Sequence, residues 1–280
     1  MITAPKSWSE FLGHQTKVCG IINLTPDSFS DGGKVNSLNI EDKISNLISE
    51  GAHVIDVGAE STRPNAIEVS SDEQIKRLNP IVDLISGYSE SVLFSVDTRN
   101  HEVALFALAN GFHIVNDVSG GAFDSKMNEV VAQQECLYIM MHSRGTPQNM
   151  NQYVSYDNLV DDVIRELNER IDLAIDAGVK REKIMVDPGF GFAKTPEQNI
   201  TIMENLKFFQ NKMQYPVMVG ISRKSMTSYL LAGDKTSASM DKRDELTAEL
   251  STHFANQGID MVRVHNVEMT VEALQGINNK

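Results

Sequence analysis

Three aspartates follow apolar residues at the ends of short hydrophobic runs: Ile55-Asp56, Val96-Asp97 and Val186-Asp187. Carboxylates gathered at one place repel each other and resist desolvation unless donors meet them. Any one of them has a plain alternative use, capping the next helix or satisfying loop amides. Three at equivalent positions point instead to a common site. Its acceptors would suit a ligand with paired N–H donors, such as a guanidine-like heterocycle edge, because one carboxylate accepts two parallel bonds. Other strand-end polar residues are Asn23, Asn116 with Asp117, and His142.

Positive charge comes from Arg63, Arg223, Lys224, Arg263 and His265. Arg263 and His265 stand two apart, so on a strand both project to one side. Ser222-Arg223-Lys224-Ser225 is expected to open a helix, whose free N–H groups and dipole favour an anion. A basic cluster in a chain of net charge -13 suggests anion capture, whereas that overall charge disfavours nucleic acid or an anionic membrane as partner. HExxH, GxSxG and GxxxxGK[ST] are all absent, which speaks against a built-in zinc site, a nucleophile elbow and a P-loop. Lys224 could form a Schiff base, although its setting beside Arg223 suits hydrogen bonding or anion binding better.

The elements that must position these residues read as β-α units. Eight apolar runs recur: VCGIIN from Val18, HVIDV from His53, VLFSVD from Val92, FHIVND from Phe112, CLYIMMH from Cys136, KIMVD from Lys183, PVMVG from Pro216 and MVRVH from Met261. Helical periodicity lies between them. The clearest stretch starts near Asp157, places Leu159, Val160, Val163, Ile164, Leu167, Ile171, Ala174 and Ile175 on one face, and stops at Gly178. Another runs from Ser37 through Ile44, Leu47 and Ile48 to Gly51. Regular alternation implies right-handed crossovers and a parallel sheet, and eight units fit a closed (β/α)8 TIM barrel of α/β class better than an open sheet. One domain over residues 1–280, with a short lead-in at 1–17, accommodates the chain, and residues 231–243 read as a polar insertion in the seventh unit.

In such barrels the site lies at the C-terminal ends of the strands. Two polar, turn-rich loops there, NLTPDSFSDGG from Asn23 and GAESTRP from Gly58, have the character of lids; Asp27, Ser28 and Phe29 belong to the first. Cys19 and Cys136 lie far apart in apolar surroundings, as buried thiols in a reducing compartment would. The first residues include no continuous apolar stretch, so a soluble, cytoplasmic protein without signal peptide or membrane anchor is expected.

These residues carry a resemblance. The run from Asn23 is similar to the first signature of the dihydropteroate synthase family, and DVGAESTRP from Asp56 to its second. SVDTR from Ser95, NDVSG from Asn116, MHSRGTP from Met141, DPGFGF from Asp187, SRKS from Ser222 and RVH from Arg263 match further motifs in order, one per strand end. The resemblance implies a homodimeric enzyme that joins a pterin diphosphate to p-aminobenzoate in folate biosynthesis, and a target of sulfonamides. It implies that Asp56, Asp97, Asn116, Asp187 and Lys224 hold the pterin, and that Asn23, Arg63, Arg263 and His265 face the diphosphate. Asn23 would reach a Mg2+ ion, and Thr62, Arg63, Pro64, Phe192 and Ser225 would shape the p-aminobenzoate pocket. Asp97, Lys224, Arg263 and Asn23 would carry catalysis, in which diphosphate leaves first and the arylamine then attacks. Ala59, Asn65, Ala193 and Asn266 depart from frequent family residues, and none of them carries an implied chemical role. A methyltetrahydrofolate-dependent methyltransferase and a non-catalytic pterin-binding protein remain the alternatives, with a Schiff-base aldolase on Lys224 as a third. The Thr-Arg-Pro, Ser-Arg-Lys-Ser and Arg-Val-His groups speak against the first, which needs no diphosphate site.

Overall fold

The computed structural model describes residues 5–24, 30–31, 34–35, 37–88 and 91–278. Eight parallel strands make one sheet: β1 Lys17–Asn23, β2 Val54–Gly58, β3 Leu93–Asp97, β4 Ile114–Asp117, β5 Leu137–Met141, β6 Ile184–Asp187, β7 Met218–Val219 and β8 Met261–Val264. Their spatial order is β6-β5-β4-β3-β2-β1-β8-β7. An isolated parallel bridge between Val186 and Val217, with Val186 N donating to Pro216 O at 2.9 Å, brings β7 back to β6. The expected barrel is thus present, with its seventh strand cut to two residues. Pro216 at the head of that run has no N–H to give to a ladder.

The helices are α1 Trp8–Leu12, α2 Ser37–Ser49, α3 Ser71–Tyr88, α4 His101–Ala109, α5 Met127–Gln134, α6 Leu159–Asp176, α7 Pro196–Glu204, α8 Leu206–Met213, α9 Ser225–Ala232, α10 Met240–Asn256 and α11 Val267–Asn278. Of the expected α6 stripe, Val160, Val163, Leu167, Ile171 and Ala174 are buried, but Ile175 is 39% exposed, a further 100° round the helix from Ala174. The expected insertion at 231–243 is smaller than the sequence suggested. Gly233, at φ 75°, closes α9, Ser239 caps α10 by accepting from Lys242 N, and most of the segment's end is helical. Among the described residues no helix is long and apolar enough to cross a membrane.

Strand parity divides the core in two. Outward residues such as Ile22, Ile55, Phe94, Val115, Tyr138 and Val186 pack against the helices. Inward residues Cys19, Val54, Leu93, Ile114, Leu137, Met185, Met218 and Met261 fill the lower barrel, which Trp8 and Leu12 of α1 seal from below. Trp8 Nε1 donates to Lys183 O at 2.7 Å, so the indole is anchored as well as buried. Each large apolar side chain in this plug stabilises the fold by about 1.5–3 kcal/mol. Part of the lead-in at 1–17 is therefore the floor of the barrel.

Candidate active site

Counting two residues up from each inward apolar residue reaches the mouth. Val54 leads to Asp56, Leu93 to Ser95 and Asp97, Ile114 to Asn116, Met185 to Asp187 and Met261 to Arg263. Strand register then sets Asn23, Gly58, Asp97 and Asn116 in one row across β1 to β4. Gly58 leaves room between neighbours. A methyl group there would lie 3.6 Å from Asn23 Oδ1 and 3.7 Å from Asp97 Oδ2, so these two oxygens face a shared space.

Arg263 ties the carboxylates together. Its Nε donates to Asp56 Oδ2 at 2.6 Å and its Nη2 to Asp97 Oδ2 at 2.7 Å, while Asn116 Nδ2 donates to Asp56 Oδ2 at 3.0 Å. Burial opposes the charge on Arg263, but Asp56 and Asp97 raise its pKa above the ordinary value. The second oxygens, Asp56 Oδ1 and Asp97 Oδ1, are buried and have no partner among the described residues. Burial pushes the Asp97 carboxyl up to about 7, against the pull of Arg263. Neither Asp97 nor Asp187 caps a helix: Asn100 caps α4 and Thr195 caps α7. Two of the three expected aspartates, Asp56 and Asp97, thus share one partner, Arg263.

Asp187 faces the group from the opposite wall. Its Oδ1 accepts from Gly189 N at 2.7 Å; burial raises its pKa, and Lys224 chiefly holds it back. Lys224 Nζ donates to Phe190 O at 2.6 Å and stands 4.9 Å from the centre of the Phe192 ring. Burial lowers its pKa to about 8, with Asp187 opposing. A second lysine, not singled out from the sequence, grips the same loop from beneath. Lys194 Nζ meets His142 Nδ1 at 2.9 Å and donates to Gly189 O and Phe192 O at 3.1 Å each. Burial lowers its pKa to about 7. His142 in turn meets Glu166 Oε2 at 3.0 Å, and Glu166 is held by Arg144. Burial above all, then Lys194, lowers His142 to about 3, so it stays neutral and serves this network rather than the open mouth.

The anion side is partly as expected. Ser222 Oγ lies 3.0 Å from His265 Nδ1 and accepts from His265 N at 3.2 Å, tying the ends of the seventh and eighth runs together. Burial first, then Arg223, Arg263, Lys43 and Arg63, lowers His265 to about 3: it sits among cations and is neutral there. Arg223 departs from the expected basic cluster, since its guanidinium is paired with Asp244, Nε to Oδ1 at 3.0 Å and Nη2 to Oδ2 at 2.7 Å. Ser225 opens α9 and is exposed, as are Arg63 and Pro64, while Thr62 and Phe192 are half-buried.

The loop carrying Thr62, Arg63 and Pro64 is pinned at its root by Glu60, which accepts from Arg99 Nε at 3.2 Å, from Arg99 Nη2 at 3.3 Å and from Val69 N at 2.9 Å. Asn65 N donates to Pro147 O at 2.8 Å, joining this loop to the one after β5. Asp27, Ser28 and Phe29 lie outside the described residues. Among the described residues no three His, Cys, Asp or Glu side chains form a metal-ligand group. Lys194, Glu60 and Arg99 were missed because each stands within or beside a motif yet faces protein rather than the mouth.

A family model described as pterin binding enzyme matches residues 19–265. A dihydropteroate synthase of Synechocystis sp. is 40% identical over 259 residues, covering 91% of this chain and 87% of the relative. The folate synthesis bifunctional protein of Arabidopsis thaliana is 40% identical over 272 residues, 92% of this chain and 55% of the relative, so the chain spans about half the length of that relative. The crystal structure of the Clostridium difficile dihydropteroate synthase in the presence of pteroic acid superposes with a TM-score of 0.86 at 35% identity, covering 96% of this chain and 97% of the other. The Xanthomonas albilineans dihydropteroate synthase with 4-aminobenzoic acid gives 0.85 at 32%, covering 95% and 93%. With its motifs set in register around one barrel mouth, the chain belongs to the pterin binding enzyme family.

Proposed function

We propose that this protein is a dihydropteroate synthase, joining 6-hydroxymethyl-7,8-dihydropterin diphosphate to p-aminobenzoate to give 7,8-dihydropteroate and diphosphate in folate biosynthesis. One observation carries the reading. The buried oxygen of Asp97, without a partner among the described residues, stands in a ring of inward groups, with Asp187 and Lys224 on the opposite wall and a cation-lined rim above. Asp56, Asp97, Asn116, Asp187 and Lys224 take the pterin edge, a donor-rich heterocycle matched by carboxylates. Arg63, Arg263, His265 and Asn23 face the diphosphate. Thr62, Arg63, Pro64, Phe192 and Ser225 receive p-aminobenzoate, its carboxylate toward the free N–H groups at the start of α9.

The pterin C–O bond breaks first, its electron pair leaving with diphosphate. The cation left on the ring is stabilised by buried, preorganised carboxylates, Asp97 foremost. The arylamine lone pair then forms the C–N bond and the amine loses a proton. As a weak base it is already neutral, so the site contributes position rather than activation. Asn23 Oδ1 fits a hard divalent cation that keeps most of its waters, and Mg2+ held there would neutralise charge on the leaving group. The same reading places a homodimer in the cytoplasm, with sulfonamides competing against p-aminobenzoate; sedimentation and inhibition kinetics test both.

The decisive measurement follows diphosphate release with both substrates, with and without EDTA. Dihydropteroate formed only when p-aminobenzoate is present, and lost on chelation, is the expected result. No product under saturating conditions overturns the reading.

A further inference from the structure

Arg223 is a non-glycine residue held at φ 57°, immediately before Lys224. The left-handed region disfavours any residue with a Cβ, and such strain persists only where surrounding contacts over-determine it. Those contacts come from α10. Arg243, nearly buried, donates through Nη2 to Arg223 O at 2.5 Å and to Lys224 O at 2.6 Å, and through Nε to Thr227 Oγ1 at 3.0 Å. Thr227 adds a bond from Oγ1 to Lys224 O at 2.8 Å. The next residue, Asp244, grips the Arg223 side chain with both oxygens. Backbone and side chain of the strained residue are thus clamped by two adjacent residues of one helix.

We infer that Arg243 and Asp244 are positioning residues that hold the turn at Arg223 in its strained form, and thereby aim the Lys224 ammonium at the loop after β6 and present Ser225 at the start of α9. Without the clamp, Arg223 relaxes to negative φ, the peptide on either side reorients, and Lys224 loses its line to Phe190 O. The inference rests on the proposed function for its catalytic consequence, but the placement of Lys224 can be measured apart from turnover.

The test uses the full chain with Arg243→Met, Asp244→Asn and the double change Arg223→Gly with Arg243→Met. Two readouts are taken: kcat/KM for dihydropteroate formation, and the titration of the Lys224 ammonium by NMR of isotope-labelled lysine. Misplacement of a reacting group by about 1 Å is enough for a loss of about 100-fold. A fall in kcat/KM of about 10- to 100-fold is therefore expected for Arg243→Met and a smaller one for Asp244→Asn, with the Lys224 titration rising toward that of an ordinary lysine in both. Glycine adopts positive φ without strain, so Arg223→Gly should restore part of the loss in the Arg243→Met background. Wild-type Lys224 titration and undiminished kcat/KM in the folded variants, with only a lower melting temperature, overturn the inference. If Arg243→Met does not fold, Asp244→Asn decides alone. If wild type makes no dihydropteroate, the functional reading fails and the lysine titration still decides the clamp.

Discussion

Asp97 and Asp117 end adjacent strands, LFSVD and IVND, and both are buried. Asp117 faces outward and is fully met: it accepts from Ser119 N and Ser119 Oγ at 2.7 Å each, Gly121 N at 2.8 Å and Tyr138 Oη at 3.2 Å. Asp97 faces inward, shares one oxygen with Arg263 and has no partner for the other among the described residues. Protein donors close the first carboxylate, and the second has an oxygen that no described residue meets. One step of strand parity separates an acid that shapes a loop from an acid that can do chemistry.

The strongest way to break this comparison is to neutralise each acid. Asp97→Asn should lower kcat/KM on the order of 1000-fold, with a denaturation curve close to wild type. Asp117→Asn puts an amide N–H donor in place of one oxygen that accepts from donors and should lower stability by about 2–4 kcal/mol in urea, while the folded fraction turns over nearly normally. Exchange of these outcomes would end the distinction. Next comes Asp187→Asn, for which titration calorimetry with the pterin diphosphate should show an affinity loss of roughly 10- to 100-fold, the worth of a charged hydrogen bond; unchanged affinity would remove Asp187 from the pterin wall.

A milder effect is the pH profile of kcat/KM. Burial raises Asp97 to about 7, so its anionic form is lost as pH falls through that value. Burial lowers Lys224 to about 8, so its ammonium is lost as pH rises through that value. A narrow bell between these limbs is expected, and Asp97→Asn should erase the acidic limb from what activity remains. The smallest change sharpens the comparison from the other side. Ser95 Oγ is inward, buried and without partner among the described residues, one layer below Asp97. Ser95→Ala removes a buried hydroxyl that has no partner among the described residues, so it should leave stability undiminished and turnover unchanged. A large loss of activity would show that the polar layer reaches deeper than Asp97.

Much of this was legible in the sequence because barrel strands are short, apolar and bounded by polar turns. Their inward polar residues break the apolar run at the very place where the chemistry sits. Asn116 and Asp117 illustrate the limit: adjacent letters at one strand end, they diverge only when the parity set by Ile114 is known. α10 was hidden for a different reason. Its buried stripe is Arg243, Asp244, Thr247, Ala248, Ser251 and Phe254, mostly polar or small, so no hydrophobic period announces a helix there. Arg223 looked like a free anion-binding cation because nothing local to its motif reveals Asp244, a partner 21 positions away. The two lysines differ similarly: Lys224 sits in a recognisable turn, whereas the role of Lys194 depends on His142, 52 residues earlier.

The seam between β6 and β7, joined by the bridge from Val186 to Val217, bears on how the barrel breathes. Its amides have the fewest rungs to lose, so they should exchange hydrogen with solvent ahead of those in the β1 to β5 arc. Asp187 extends from one lip of that seam and Lys224 from the segment beyond the other. A pterin held between them would act as a rung laid across the gap, slowing exchange at Val217 and raising the melting temperature together.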